Sequence, residues 1–216
     1  MILLTVPHSK CEAGPENAEH HTCDPLASPF ASALERALRA LHFETVRLEG
    51  DVNRRSCDLN RAQDCESALK DAFNQQLRAG RTDFHFDVHS YPGGREQGQY
   101  ELYLLDYSTR ESTPLAHNLS LVAFLQARGA RVTLLAGSAL NALIAGSSSA
   151  GIRSTLLEIN EDVPRERMAA LSSLIAQWLT KEVAPFRCAH CGTRTGMVSL
   201  LECTAYCSTV CRDSVS

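Results

Sequence analysis

Two hydrophobic spacings alternate along the chain. Short apolar runs, "ILLTV" (2–6), "FETVRL" (43–48), "DFHFDV" (83–88), "YELYLLD" (100–106), "RVTLLAG" (131–137) and "STLLEIN" (154–160), have the length and composition of strands. Between them, "PFASALERALRALH", "DCESALKDAFNQQLRAG", "PLAHNLSLVAFLQARG" and "PRERMAALSSLIAQWLTKEV" carry apolar residues at helical spacing, and "ALNALIAGSSSAG" predicts a shorter helix. Ser28, just ahead of Pro29, is the expected N-cap of the first helix; Asp64 lies near the start of the second, and Gly80 is its expected stop. Strands separated by helices predict an α/β fold with a mixed, largely parallel sheet and helices on both faces. This domain is expected over residues 1–183, followed by "APFR" (184–187) and a small Cys-rich tail over 186–216.

In open α/β sheets ligands bind beyond the carboxyl ends of the strands. Those ends read "PHSKCE", "GDVNRRSCDLNR", "HSYPGG" and Glu158 with "NED". Two histidines and a carboxylate are the usual protein ligands of a catalytic zinc. His8 and His89 are the candidates, with Glu12 or Asp24 as the carboxylate. Asp87 can accept a ring N–H behind His89. Glu158 closes an apolar strand, which suits a general base whose pKa is raised by partial burial. Arg61, preceded by Asn60, offers a planar fork for a substrate carboxylate, with Arg54 and Arg55 nearby. Asp58 reads as a loop partner for Arg55, and His20-His21 as part of a polar loop. Cys11 and Cys23 flank the region, and a cysteine hydrolase using Cys11 is a separate possibility.

Composition narrows the classes. A net charge of −4 over 216 residues argues against a nucleic-acid surface. No apolar run is long enough to cross a bilayer, so no membrane association is expected. "MILLTVPHSK" reads as a first strand and not as a signal peptide. Of the nine cysteines, Cys11, Cys23, Cys57 and Cys65 are scattered, and five crowd the last 29 residues. An odd total without a secretion signal predicts a reducing compartment, cytoplasmic or nuclear. In the tail, the CxxC and CxxxC spacings predict a structural zinc on Cys188, Cys191, Cys207 and Cys211, with Cys203 as an alternative ligand.

Four segments, "VPHS", "CDLNR" (57–61), "DVHS" (87–90) and "NALIAGSSSAGIRSTLLEINEDV" (141–163), resemble the N-formylglutamate amidohydrolase family in content and order. More distantly, the Asn-Arg pair, "HSY" and a late Glu resemble the zinc carboxypeptidases. The resemblance implies a phosphorylase/hydrolase-like fold. It also implies hydrolysis of an amide bond in a small acidic N-acyl amino acid or peptide-like substrate, through a zinc-bound water activated by Glu158. His8 and His89 then become zinc ligands with Asp24 as the third, and Arg61 becomes the substrate-carboxylate clamp. Asn60, Arg55 and Ser90 are expected on the substrate side.

Two departures stand out. Glu12 follows His8 by four residues, whereas the carboxypeptidases use three, and Lys10 stands where the amidohydrolases have Gly. The tail resembles the first half of a MYND-type zinc finger, which implies a possible protein partner. The competing reading is a catalytically inactive α/β scaffold whose tail recruits that partner. It predicts one zinc per chain, and the hydrolase predicts two.

Overall fold

The computed structural model describes residues 1–10, 23–54, 57–61, 66–94, 96–106, 115–136, 141–183, 197–199 and 204–206. In chain order the first unit holds β1 (Ile2–Val6), α1 (Ala27–Ala40), β2 (Thr45–Glu49), α2 (Ala68–Ala79), β3 (Phe84–Tyr91) and a 3₁₀ turn (Glu96–Gln99). β4 (Leu102–Asp106), α3 (Leu115–Gln126), β5 (Val132–Ala136), α4 (Ala142–Ser149), β6 (Arg153–Asn160) and α5 (Arg165–Val183) follow.

The strands form one sheet in the order β2-β1-β3-β6-β4-β5. β2, β1, β3 and β6 run parallel; β4 is antiparallel to β6, and β5 is parallel to β4. The reversal has a simple cause. Only ten residues separate β3 from β4, fewer than a parallel crossover needs. The sheet is therefore mixed and mostly parallel, with helices on both faces.

Strand alternation divides the sheet into two chemistries. Ile2, Leu4, Phe84, Phe86 and Val88 are buried on one face, and α1 contributes Phe30, Leu34 and Leu38 to the buried core. On the other face Leu3 joins Cys57, Leu59, Leu69, Phe73 and Leu143 in a cluster over which α2 and α4 lie. His85, Asp87 and His89 share that second face and are buried. They form a polar column through an apolar layer, so each must find hydrogen-bond partners.

The helix ends differ from expectation in two places. α1 starts at Ala27, its N-cap is Leu26 without a side-chain bond, and the Ser28 hydroxyl donates instead to Glu49 Oε1 at 2.9 Å. In α2 the cap is Ser67, which accepts from Lys70 N–H and donates to Asp51 Oδ1 at 2.6 Å. Asp64 lies outside the described residues. Gly80 does stop α2, in the left-handed region at φ 63°, where a side chain is disfavoured.

Gly50 fastens the loop after β2 to the end of β1. Its N–H donates to Val6 O at 2.9 Å, and a Cβ there would lie 2.1 Å from Pro7 O. Gly50→Ala is expected to lower stability by about 1–3 kcal/mol, because backbone has to shift. Equilibrium denaturation checks it, and an unchanged midpoint would contradict it.

The chain divides into two compact units, Met1–Ala176 and Gln177–Ser216. The division falls inside α5, ahead of the expected linker. In the second unit β7 (Met197–Ser199) and β8 (Thr204–Tyr206) pair antiparallel. Cys188, Cys191, Cys203, Cys207 and Cys211 lie outside the described residues. Among the described residues no helix is long and apolar enough to cross a membrane.

Candidate metal centre and catalytic site

The connections that follow β1 and β2 converge with β3 and β6 at the carboxyl end of the sheet. His8 lies two residues beyond β1, and its carbonyl accepts the Asp24 N–H at 2.9 Å. That bond carries Asp24, just ahead of α1, to the histidine. His89 on β3 is in register with Glu158 on β6, so the two side chains stand side by side on one face. The His8 and His89 rings meet edge-on, with centroids 4.9 Å apart.

Asp24 Oδ2 is 2.7 Å from His89 Nδ1 and 3.3 Å from His8 Nδ1. One ligand atom from each of His8, Asp24 and His89 lies within 4.8 Å of the others, and all three residues are buried. The outward nitrogens are also held. His8 Nε2 is 3.0 Å from Asp58 Oδ1, and His89 Nε2 is 3.2 Å from Asp87 Oδ2. A carboxylate behind each ring fixes the tautomer that leaves Nδ1 free as a ligand. The Asn60 amide adds a 2.8 Å contact to His89 Nε2. Its Oδ1 is otherwise a buried acceptor with no partner, and turning the amide makes that atom the acceptor for a protonated Nε2.

Electrostatics point the same way. Burial pushes the Asp24 carboxyl up, but hydrogen bonds from His8 and His89 outweigh it and hold the group well below the usual range. Asp87 is likewise lowered: burial opposes, and the charge and hydrogen bond of His89 prevail. At His89 burial opposes the charged form, yet Asp87 and Asp24 raise its pKa well above the ordinary value. Without a metal, a proton on His89 compensates the carboxylates. Two nitrogens and a carboxylate, with the ionised Asp58 and Asp87 behind them, form a donor set that fits a divalent cation such as zinc.

Glu158 differs from the other acids. Burial pushes it up to about 8; Asp24 and Asp87 add to the rise, and His89 and Arg54 oppose it. It is partly exposed. Tyr103 of β4 is its register neighbour on the opposite side from His89, its ring tilted against that of Tyr91 with centroids 4.6 Å apart.

The structure places the remaining candidates as follows. Arg54 reaches the site: Nη1 is 3.8 Å from Asp24 Oδ1 and Nε is 3.6 Å from Asp58 Oδ2. Arg61 Nε is 3.6 Å from Asp58 Oδ2 and its side chain is 42% exposed. Ser90 departs from its expected role. It follows His89 on β3 and so faces the opposite side of the sheet, where its hydroxyl donates to Glu161 and accepts from Leu26 N–H. Asp58 is a partner of His8 and the arginines, a role that its loop position alone did not reveal. Lys10 Nζ donates to Asp51 O at 3.1 Å. Glu12, Arg55, Cys11, His20 and His21 lie outside the described residues.

Cys23 and Cys57, the residues immediately before Asp24 and Asp58, are each disulfide-bonded and buried. Scattered positions in sequence do not report which thiols meet in space.

No protein-family model and no curated protein matches the sequence. Solved structures do. The Agrobacterium tumefaciens gene product Atu2144 matches at TM-score 0.58 and 14% identity, over 85% of this chain and 90% of that one. N-acetylmuramoyl-L-alanine amidase AmiC2 of Nostoc punctiforme matches at 0.53 and 13%, over 85% and 96%. A candidate metallopeptidase from Shewanella denitrificans OS217 matches at 0.50 and 14%, over 85% and 75%. These likenesses show the fold. The mixed sheet and its helices are those of a known α/β architecture, and the site's chemistry has to be argued from its own residues.

Proposed function

We propose that the protein is a metal-dependent hydrolase that cleaves an amide bond in a small acidic N-acyl amino acid or peptide-like substrate. The observation that carries this reading is the convergence of His8, Asp24 and His89 next to Glu158, a carboxyl in register with His89. A silent scaffold gains nothing from burying two histidines against a shared carboxylate, an arrangement that is costly unless compensated. An amidase and a candidate metallopeptidase among the structural likenesses are in keeping with it.

His8, Asp24 and His89 would hold the cation, zinc being the choice that two nitrogens and one oxygen favour. A cation there supplies Lewis acidity for the scissile carbonyl and for an attacking water. Glu158 takes the water's proton and returns it to the leaving amine, a transfer worth about 10²- to 10⁴-fold. Burial makes the ionised carboxylate a stronger base than an exposed one, and a cation held by His8, Asp24 and His89 would favour that ionised form at neutral pH. Arg54, near Asp24 and Asp58, and Arg61 with Asn60 would pair with a substrate carboxylate. Tyr103 stands beside Glu158 in the β4–β6 ladder.

In the tail, the Cys188/Cys191 and Cys207/Cys211 spacings support a separate structural zinc, with Cys203 as a substitute ligand. A protein partner for that tail rests on its likeness to half of a MYND-type finger.

Amine release from N-formyl- and N-acetylglutamate tests the activity. It is expected to vanish on chelation and return with added zinc. Turnover that persists through chelation and stops with a thiol alkylator would favour the cysteine reading.

A further inference from the structure

Behind His89 lies a hydrogen-bond network whose directions are fixed by its ends. Asn141 is the N-cap of α4, and its Oδ1 accepts from the backbone N–H groups of Leu143 and Ile144 at 2.9 and 3.0 Å. Backbone amides only donate, so the orientation of this side-chain amide is unambiguous. Its Nδ2 must then face Asp87, and it donates to Oδ2 at 2.8 Å. This is the oxygen that His89 Nε2 meets at 3.2 Å.

The other oxygen, Asp87 Oδ1, accepts from the Thr5 hydroxyl at 2.6 Å. With its proton committed, Thr5 Oγ1 accepts from His85 Nε2 at 2.8 Å, and His85 Nδ1 accepts from Ser147 Oγ at 2.8 Å. A neutral His85 satisfies this chain, and burial does hold its pKa down, at about 4.

Asp87 is thus held by donors from β1 and from the cap of α4, and it meets the His89 ring on the same oxygen that Asn141 holds.

We propose that Asn141 is a positioning residue for the metal centre. Its amide ties the start of α4 to the Asp87 carboxylate and so sets how His89 presents Nδ1. The inference rests on the metal reading above. It goes further by assigning Asn141 two separable duties, the helix cap through Oδ1 and the hold on Asp87 through Nδ2.

Asn141→Ser keeps a capping oxygen but cannot span to Asp87, whereas Asn141→Ala loses both. Zinc affinity of the full chain is read by competition with a chromophoric chelator. The ion assigned to this site is the one absent from His89→Ala. N141S is expected to bind that ion about 10- to 100-fold more weakly, as for other residues that orient metal ligands. N141A should show the same loss and melt about 2–4 °C lower than N141S, for want of the cap.

If N141S binds as the wild type does while N141A loses only stability, Asn141 is a cap alone and the proposal is overturned. If the wild type holds no zinc that depends on His89, the metal reading falls and this inference falls with it. The two failures are distinguishable in one titration.

Discussion

Glu158→Gln is expected to reduce turnover by about 10²- to 10⁴-fold, while making the metal-free protein more stable at alkaline pH. The two effects have one origin. Burial lifts the Glu158 carboxyl from 4.5 to about 8 in the folded chain. The native state therefore binds this proton more tightly than the unfolded chain does. The group's contribution to stability is complete below about pH 4.5 and is lost as pH rises toward 8. Glutamine does not ionise, so its variant escapes that loss, by on the order of 3 kcal/mol at pH 8. Denaturation of chelated protein between pH 5 and 9 reads it out. Equal pH slopes for wild type and variant would show that Glu158 is not held in its protonated form.

The second large effect is expected at Asp24. Asp24→Asn keeps the shape but removes the charge shared by two buried imidazoles, at 2.7 and 3.3 Å. Metal affinity should drop sharply with a ligand lost. Metal-free stability should drop as well, by about 3–5 kcal/mol, the usual consequence of breaking a buried pair. The pH window follows from the directions of the shifts. Asp24 lies below its ordinary 3.8, so its contribution is present above that value and lost in acid. His89 lies well above its ordinary 6.5, so its contribution is present below that value and lost as pH rises through its folded pKa. The gap between wild type and D24N should therefore be widest between about pH 4 and 6.5, and close at either end. A gap independent of pH would mean that the side chain matters for packing and not for charge.

The first strand was legible residue by residue. "ILLTV" is β1 from Ile2 to Val6 because an uninterrupted apolar run has few alternatives in a sheet covered on both sides. β3 was read short. It runs through His89 and Ser90 to Tyr91 because these residues pair with Glu158, Ile159 and Asn160 of β6. That ladder joins segments about seventy residues apart, and no local pattern reports it. His89 is accordingly within the strand, rigidly held, and not at a loose tip.

The site was legible in its reactive groups and much less so in their supports. His8, Asp24, His89 and Glu158 were named from strand ends and from the resemblance, and the fold brings them together. Asp58 read as a loop ion pair, yet it holds His8 Nε2. Asn141 read as ordinary helix sequence, and Thr5 as an ordinary strand residue. Their roles arise from contacts to Asp87 that depend on how α4 and β1 lie across the sheet. Ser90, expected on the substrate side, is turned by strand alternation to the face opposite His89, where it meets Glu161.

The most direct test of the account is metal content by elemental analysis of the purified full chain, comparing wild type with His89→Ala. Whatever the tail holds is common to both proteins. The account predicts that the variant contains one ion fewer per chain, with a folded spectrum retained. Equal metal content in the two would contradict it, leaving the α/β unit without a metal centre and the scaffold reading ahead.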